Sequence, residues 1–299
     1  RALRADPAAR PTAEELHRTM ARVVTGRSEA RRREAEAQEH LGRTRELLDA
    51  FHHRERQLEQ EKRVVAVQQA RVPSWAAAEE KKALWSAEDR VLSILDLQAA
   101  TWTQALEEAV RATGLDPRTD DAHQLIAELW WERVLMAETR GYLGEAALAR
   151  HRVATHDRGA LAGRLEAAAR LTVTAPGTLH RIVPGPRRWA SRPVQSTPCE
   201  GARLPPGPYL LALDRADADP VWISLDLERH DDRHVDPTLP PADPEGFVFV
   251  AEGPCRLGDD PDAHDALVPY RPHVAGFWFG RHPVTVEEWL AFAAARPEA

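Results

Sequence analysis

A change of composition near residue 170 constrains this sequence more than any other feature. Before it, the chain is rich in Ala, Glu, Arg and Leu and has few helix breakers; from Pro176 onward, Pro, Gly, Val and Tyr become frequent. The first composition favours helices, and the second favours strands joined by turns. Because 299 residues exceed what one hydrophobic core usually organises, two or three domains are expected. The sequence predicts a multidomain protein in which a helical half precedes a β or α+β half.

Charge and cysteine content limit the partners and the compartment. The chain has 40 basic and 47 acidic residues, a formal charge of −7. This balance, with a basic patch only at residues 31–33, argues against nucleic acid as the main partner. No apolar run is long enough to span a bilayer, and no charged-then-apolar leader opens the chain. Cys199 and Cys255 lie in different sequence contexts, which fits a reducing cytoplasm and predicts a cytoplasmic protein.

The first residues carry a helix-start signal followed at once by an apolar stripe. Thr12 is placed to cap a helix, and Glu15, three residues later, is placed to reach back to the cap amide, as in a capping box. The stripe consists of Leu16, Met20, Val23 and Val24. These few residues cannot cover their own stripe, so a partner surface upstream is expected. Since the pattern begins at Arg1 without a start signal, the sequence predicts an internal segment of a longer protein, with a boundary inside a domain.

This opening resembles the end of the C-terminal lobe of bacterial Hanks-type serine/threonine protein kinases, with the order Ala-Leu-x-x-Asp-Pro-x-x-Arg-Pro-Thr-x-x-Glu-Leu from Ala2 to Leu16. The resemblance implies that residues 1–26 close such a lobe. It gives Arg10 a structural role, an ion pair with an activation-segment glutamate outside this chain. The kinase residues that bind ATP and Mg²⁺ would all precede Arg1. The alternative is an ordinary capped helix after an Asp-Pro turn.

Residues 27–169 are predicted to form a helical scaffold. Residues 28–71 favour one long helix with a partial seven-residue pattern, formed by Leu41, Leu48, Phe51, Leu58 and Val65. Because Glu55 and Lys62 interrupt that pattern, a coiled coil is not expected. Pro73 should end the helix, and Ser74 is placed to cap the next one.

Small residues in the next helix resemble the second helix of a tetratricopeptide repeat, where they allow close helix crossing. They are Ala105, Ala109 and Ala112, followed by Pro117. Ala127 and Trp130 then match the small and aromatic positions of the next repeat. A second helix pair is predicted through Tyr142, Ala146, Leu148 and Val153. A helical solenoid is predicted, either as a peptide-binding or dimerising scaffold or as a structural spacer. Because Trp130 and Trp131 are adjacent, they point in different directions, and at least one should pack between helices as a core residue.

Residues 170–236 are predicted to form a small antiparallel β-sandwich. Alternating segments begin at Leu171, Tyr209 and Val221, and residues 205–207 supply a turn. The order Leu-Pro-Pro-Gly-Pro-Tyr from Leu204 to Tyr209 resembles the turn of small sandwich modules appended to bacterial receptors and kinases. That resemblance implies that Tyr209 packs under the turn, and it implies a spacer or adhesion role without chemistry.

One pattern in this region suggests a metal site. His230, His234 and Asp236 have a spacing close to that of some nonheme iron ligands. Such spacing needs a helix to bring both imidazoles to one face, whereas here it follows a strand and precedes prolines. A solvated Pro-rich linker over residues 237–245 is the favoured interpretation. Cys199 and Cys255 have no second thiol nearby to complete a metal pair.

The closing segment, residues 246–299, carries the most specific resemblance. Two short strands, an acidic loop and two further strands lead to a helix, for which Thr285 and Glu288 form a second capping box. The order is similar to the N-terminal part of the formylglycine-generating enzyme family, also called sulfatase-modifying factor domains, which have a C-type-lectin-like fold. The matching residues are Gly253, Gly258, Phe277, Arg281, Pro283, Val284, Thr285 and Phe292. Residues 251–252 and Cys255 depart from the pattern.

These resemblances give no catalytic, cofactor-binding or metal-ligating residue to this chain. In the formylglycine-generating family the copper-binding cysteines lie further downstream, so Cys255 is not one of them. The order of the parts resembles large bacterial serine/threonine kinases. We therefore expect an accessory region of such a kinase in signalling, with protein substrates or regulators as partners. The alternatives are part of a formylglycine-generating or nonheme-iron oxidative enzyme, or a noncatalytic protein-binding scaffold.

Overall fold

A computed structural model describes residues 11–73, 75–183, 190–216, 218–240, 242–255, 257–258 and 272–296. The chain divides into two compact units. The first comprises Arg1–Glu132 and Ala149–Ala162, and the second comprises Arg133–Leu148 and Gly163–Ala299. Helices precede strands along the chain, as the composition predicted. The finer domain boundaries stay predictions. The one placed after residue 26 falls inside a continuous helix.

Four helices supply the described secondary structure from residue 11 to residue 156: α1 (Ala13–Arg71), α2 (Ala78–Leu115), α3 (Asp120–Arg140) and α4 (Leu143–His156). The predicted long helix is confirmed, and it is longer than expected because it includes the capped opening segment. Ser74, the predicted cap of the second helix, lies outside the described residues. Helix α2 begins after Ala77, whose side chain makes no capping hydrogen bond. No helix in the described ranges has the length and apolarity needed to cross a membrane.

Helices α1 and α2 pack against each other in antiparallel fashion. Glu61 accepts a hydrogen bond from Arg90, whereas His40, near the other end of the pair, contacts Glu108. The buried residues of α1 recur at alternating spacings of four and three, with gaps at two charged positions: Ala37, Leu41, Thr44, Leu48, Phe51, Leu58 and Val65. This spacing is the one that packed helices of coiled coils share, and it is interrupted at Glu55 and Lys62 as the sequence predicted. The expectation against a sustained coiled coil stays a prediction.

Small residues bring α2 close to its neighbours. Ala105, Ala109 and Ala112 are buried in one core with residues of α1 and α3, including Leu41 and Ile126. The predicted small residues are therefore buried between helices, as close helix crossing would require. The specific assignment to tetratricopeptide repeats stays a prediction.

The paired tryptophans behave as core residues, as predicted. Trp131 is buried, and Trp130 meets Trp102 edge to face with ring centroids 5.2 Å apart. The indole N–H of Trp102 donates to the carbonyl oxygen of Leu129 over 2.7 Å. Trp102 and Trp130 thus pack against each other, as aromatic residues of a core do.

A five-stranded sheet forms the main part of the second unit, which also holds the short helix α5 (Ala162–Leu165). Its strands are β1 (Ala169–Val183), β2 (Ala190–Leu204), β3 (Gly207–Arg215), β4 (Ala218–Leu227) and β5 (Asp232–Val235). The order is β2-β1-β3-β4, with antiparallel pairs, and β5 pairs with β1 in parallel. The prediction of an antiparallel sheet is thus confirmed. The predicted sandwich would have two facing sheets. The structure instead has one hydrogen-bonded sheet, because β1 pairs with three other strands.

The sheet buries alternating residues of β1, β3 and β4 on one face. Tyr209 is fully buried, and its hydroxyl donates to the carbonyl oxygen of Pro205 over 2.7 Å. The tyrosine therefore packs under the Pro-Pro-Gly turn, as the resemblance implied. At the sheet edge, β2 carries Pro193 and Pro198, which cannot donate to a further strand.

The predicted linker is attached to the sheet. The guanidinium of Arg215 donates to both carboxylate oxygens of Asp243 over 2.9 and 2.8 Å, and Leu239 packs against the sheet core. This pair is largely buried, and the pKa of Asp243 lies below its ordinary value, chiefly because of the hydrogen bonds from Arg215. Leu239 and Asp243 are therefore held against the sheet, whereas the bounds of the Pro-rich linker stay a prediction.

The closing segment forms two small antiparallel pairs and a helix. Strand β6 (Phe247–Val250) pairs with β9 (Phe277–Gly280), and β7 (Gly253–Pro254) pairs with β8 (His273–Val274). Helix α6 (Val286–Ala295) follows. The predicted order of short strands before a helix is confirmed. The predicted acidic loop lies outside the described residues.

Candidate functional site

The first part of α1 presents a long helical surface that no other described element covers. Every residue from 12 to 36 is exposed, and burial begins at Ala37. The predicted apolar stripe lies within this segment, with relative exposures of 41% for Leu16, 60% for Met20, 49% for Val23 and 66% for Val24. The expected partner surface is therefore not provided by the described residues. This surface is the strongest candidate for a functional site.

The uncovered stripe continues the seam that α2 covers further along. Leu16, Val23 and Ala30 precede the buried Ala37 by whole multiples of seven residues, and Met20 precedes the buried Leu41 in the same way. Arg27 and Glu34 occupy the two remaining positions. A seam in this register needs another helix or an apolar groove opposite it. We call residues 13–36 of α1 the uncovered segment.

The helix start is built as predicted. The backbone N–H of Glu15 donates to the Thr12 hydroxyl over 3.2 Å, and the Thr12 N–H donates to the Glu15 carboxylate over 2.8 Å. Both bonds of the capping box are present, so α1 has a fixed beginning. Arg10, which was predicted to form a structural ion pair, lies outside the described residues.

The residues predicted from the formylglycine-generating family lie at the other end of the chain. Gly253 is in β7, and Gly258 has a φ of +79°, a conformation that favours glycine. Arg281 donates its backbone N–H to the carbonyl oxygen of Gly246 over 2.8 Å, and its guanidinium pairs with Asp219. Pro283 is exposed between β9 and α6. None of these contacts forms a catalytic arrangement.

The second capping box is confirmed at α6. The Thr285 hydroxyl accepts the Glu288 N–H over 3.2 Å, and the Glu288 carboxylate accepts the Thr285 N–H over 2.7 Å. Beyond this cap, α6 exposes Trp289, Leu290 and Phe292. The helix is therefore fixed at its start and carries an apolar surface that the described residues leave open.

The proposed metal array does not assemble. His230 lies in a turn with a φ of +64°, His234 lies in β5, and the Asp236 carboxylate accepts a hydrogen bond from the Thr174 hydroxyl. A metal site with this spacing would need a helix to bring both imidazoles to one face. His230 and His234 do not lie in a helix. Within the described ranges, no group of three or more His, Cys, Asp or Glu residues is placed to hold a metal ion.

An ionic cluster between α1 and α2 was not predicted. His40 Nδ1 lies 2.6 Å from the Glu108 carboxylate, which also accepts from Arg111 over 2.6 Å and lies 4.0 Å from Arg43. These contacts lower the pKa of Glu108, chiefly through the His40 hydrogen bond, against the effect of burial. A groove of about 570 Å³ adjoins the cluster. Because Glu108 is held ionised by three partners, it is a structural anion and a poor general base.

A second buried ion pair also escaped prediction. Arg229 donates to both carboxylate oxygens of Glu138 over 3.0 and 2.7 Å. The pair joins α3 to the turn before β5, and its residues are far apart in sequence. Ion pairs between residues four apart on one helix can be predicted from sequence, because both charges lie on the same face. The Arg229–Glu138 pair cannot be predicted in this way, because only the tertiary fold brings its residues together.

Comparisons with models of protein families, with curated proteins and with solved structures found no match. The kinase-like and formylglycine-generating-like resemblances thus rest on the motifs alone. The geometry itself offers a candidate protein-binding surface on α1.

Proposed function

We propose that this chain is a noncatalytic, protein-binding accessory region of a serine/threonine protein kinase. The kinase transfers the γ-phosphate of ATP to serine or threonine hydroxyls in signalling, and its catalytic domain binds ATP and Mg²⁺. The uncovered segment of α1 is the observation that supports this proposal, since it begins at the kinase-like motif. Its occupant is the remainder of that kinase's C-terminal lobe, which residues 1–26 would close.

The length and composition of the uncovered segment support a protein partner. At 1.5 Å per residue, the segment extends about 36 Å. A helix gains most of its stability from packing its apolar face, so an uncovered helix of this length is marginal in water. Exposed charges alternate in sign along the segment through i to i+4 pairs such as Glu14–Arg18 and Arg32–Glu36. Such mixed charge favours a protein surface over a nucleic acid or an anionic membrane.

A general protein-binding scaffold is the second candidate. The antiparallel α1–α2 pair favours it, because long paired helices hold a binding face away from a core. In that case α1 binds a protein unrelated to kinases. The oxidative-enzyme alternative is supported by the strand order and the capped α6 of the closing segment, which follow the formylglycine-generating pattern.

Phosphotransfer by the complete polypeptide that contains this chain tests the proposal. The polypeptide is purified and given Mg-ATP and a generic serine/threonine substrate protein. The double variant Leu16→Asp, Met20→Asp places two charges in the contact, and we expect phosphotransfer to fall at least about tenfold, because an unpaired charge is costly to bury. The matched control is Val67→Asp, which changes an exposed residue of the same helix outside the seam.

The outcomes separate the candidates. Loss of phosphotransfer in the double variant with an unchanged control supports the accessory role. If the complete polypeptide transfers no phosphate, the kinase proposal is wrong and the scaffold candidate gains. Tight binding of Mg-ATP to this chain alone, measured by calorimetry, would contradict the claim that the nucleotide site lies on another domain.

A further inference from the structure

Two histidines of the first unit share a close contact that the proposed function does not use. His123 lies in the first turn of α3, and His156 is the last residue of α4. Their Nδ1 atoms are 3.0 Å apart, and their rings stack with centroids 5.2 Å apart. Both side chains are half-buried. The contact therefore joins the start of one helix to the end of the other.

This contact depends on how many protons the two imidazoles carry. In the neutral pair, one Nδ1 bears a hydrogen and donates it to the other, whose hydrogen is on Nε2. One added proton leaves this bond intact as an N–H⁺···N bond, because the acceptor Nδ1 stays bare. A second proton places hydrogens on both Nδ1 atoms. The hydrogen bond is then lost, and two cations face each other.

The surrounding charges oppose the second proton. The pKa of His156 lies below its ordinary value, first because of burial and then because of His123, Arg158 and Arg152. The nearby acids are engaged elsewhere. Asp120 accepts a hydrogen bond from the Arg158 side chain, and Asp157 accepts one from the Leu161 N–H. Asp116 accepts bonds from the Thr119 hydroxyl and the Arg118 N–H. Asp121 accepts a bond from Arg45 of α1.

The contact lies beside residues 157–161, which the Arg158 side chain also joins to the start of α3 through Asp120 over 2.9 Å. After α4, the Arg158 N–H donates to the Gln124 side chain over 3.3 Å, and Leu161 is buried. We propose that His123 and His156 form an acid-sensitive latch. It holds the end of α4 and residues 157–161 to the start of α3 while at most one of the two imidazoles is charged, and it releases them when both are charged.

The direction of the pH effect follows from proton binding. A released imidazole in water takes up a proton near the ordinary histidine pKa of about 6.5, whereas the closed pair resists the second proton because that proton would bring two cations together. The closed state is therefore fully favoured above about pH 6.5. It loses stability as the pH falls below that value, by up to about tenfold in the closing equilibrium per pH unit, because one extra proton is bound on release.

Hydrogen exchange of the whole chain, followed by mass spectrometry and corrected for the intrinsic pH dependence, tests the latch. Between pH 7.5 and 5, we expect protection of residues 149–162 to fall by up to about tenfold per pH unit once the pH is below about 6.5. In His156→Gln, which cannot titrate, this fall should vanish. His151→Gln, an exposed histidine of the same helix, is the matched control and should keep it.

A measurement on the unmodified chain covers the case in which the variant does not fold. Imidazole ¹⁵N resonances of His156, recorded by NMR against pH, should show a protonation step below the ordinary histidine value. A His156 step at the ordinary value would overturn the latch. Protection of residues 149–162 that is unaffected by pH, or that falls equally in His156→Gln, would also overturn it.

Discussion

Arg229 shows how much one side chain can organise in the second unit. Besides the two bonds to Glu138, its guanidinium donates to the carbonyl oxygens of Arg164 and Leu165 at the end of α5, and of Ala167 just after it. The relative exposures of the Arg229 and Glu138 side chains are only 8% and 10%. An arginine suits this role because its planar group offers five N–H donors in a fixed geometry.

Replacing this arginine should be costly. In Arg229→Met the Glu138 carboxylate stays buried without its partner, so we expect the unfolding free energy of the second unit to fall by about 3–5 kcal/mol. Hydrogen exchange of the β1 and β3 amides in urea measures this change. The control Arg281→Met removes an exposed pair with Asp219 in the same unit and should cost less than about 1 kcal/mol. Equal effects of the two variants would show that Arg229 is not a central contact.

For single elements, patterns of a few adjacent residues predicted where α1 and α6 begin. They did not predict which helices pack against each other. Both capping boxes, at Thr12 and Thr285, were predicted from four adjacent residues and are present. Glu55 and Lys62 interrupt the seam of α1 as the sequence predicted, since Glu55 is exposed and Lys62 is paired with Glu59. The helices nevertheless pack along the rest of the seam. A charge at a seam position excludes packing only if its head group is buried, and sequence does not show that.

The same limit explains the sheet. Strands were predicted from alternation, but whether they form one sheet or two depends on which strands pair, and pairing is non-local. Strand β1 has extra residues between Val173 and Gly177, where its pairing with β2 shifts register. These allow its first half to pair with β5 and its second half with β3 along one edge. Bulge positions leave little trace in a single sequence.

The seam should dominate the stability of the first unit. Leu41 is fully buried against α2 and α3, so Leu41→Ala should lower the unfolding free energy by about 2–5 kcal/mol, through lost apolar burial and the cavity left behind. Val67→Ala, at an exposed position of the same helix, should change it by less than about 0.5 kcal/mol. Urea unfolding followed by helical circular dichroism compares the two. Similar midpoints would mean that α1 and α2 do not pack as described.

The cap of α6 should depend on pH. The pKa of Glu288 lies below its ordinary value of 4.5, because the carboxylate accepts the Thr285 N–H and hydroxyl. Its contribution to the helix is therefore complete above pH 4.5 and is lost as the pH falls through the lowered pKa. Amide chemical shifts of residues 285–288 should report this loss. Glu288→Gln should remove the pH dependence, whereas Glu287→Gln should retain it; the reverse result would reject the capping box.

At the scale of the molecule, the described residues form two covered cores and leave two apolar helical surfaces open. One is the uncovered segment of α1, and the other is the face of α6 with Trp289 and Phe292. The sequence predicted the first surface, because its stripe follows a recognisable cap and is too short to cover itself. It did not predict the interior ion pairs or the histidine contact, which join residues that only the tertiary fold brings together.

We propose that the uncovered segment of α1 packs against the remainder of the C-terminal lobe of a serine/threonine kinase. Photo-crosslinking reports this contact, with a benzophenone amino acid placed at Met20 in the complete polypeptide and, as a control, at Val67. We expect irradiation at Met20 to give crosslinked peptides from a kinase catalytic lobe and Val67 to give none. If Met20 gives no crosslink, or crosslinks to a protein without a kinase lobe, the proposal is wrong.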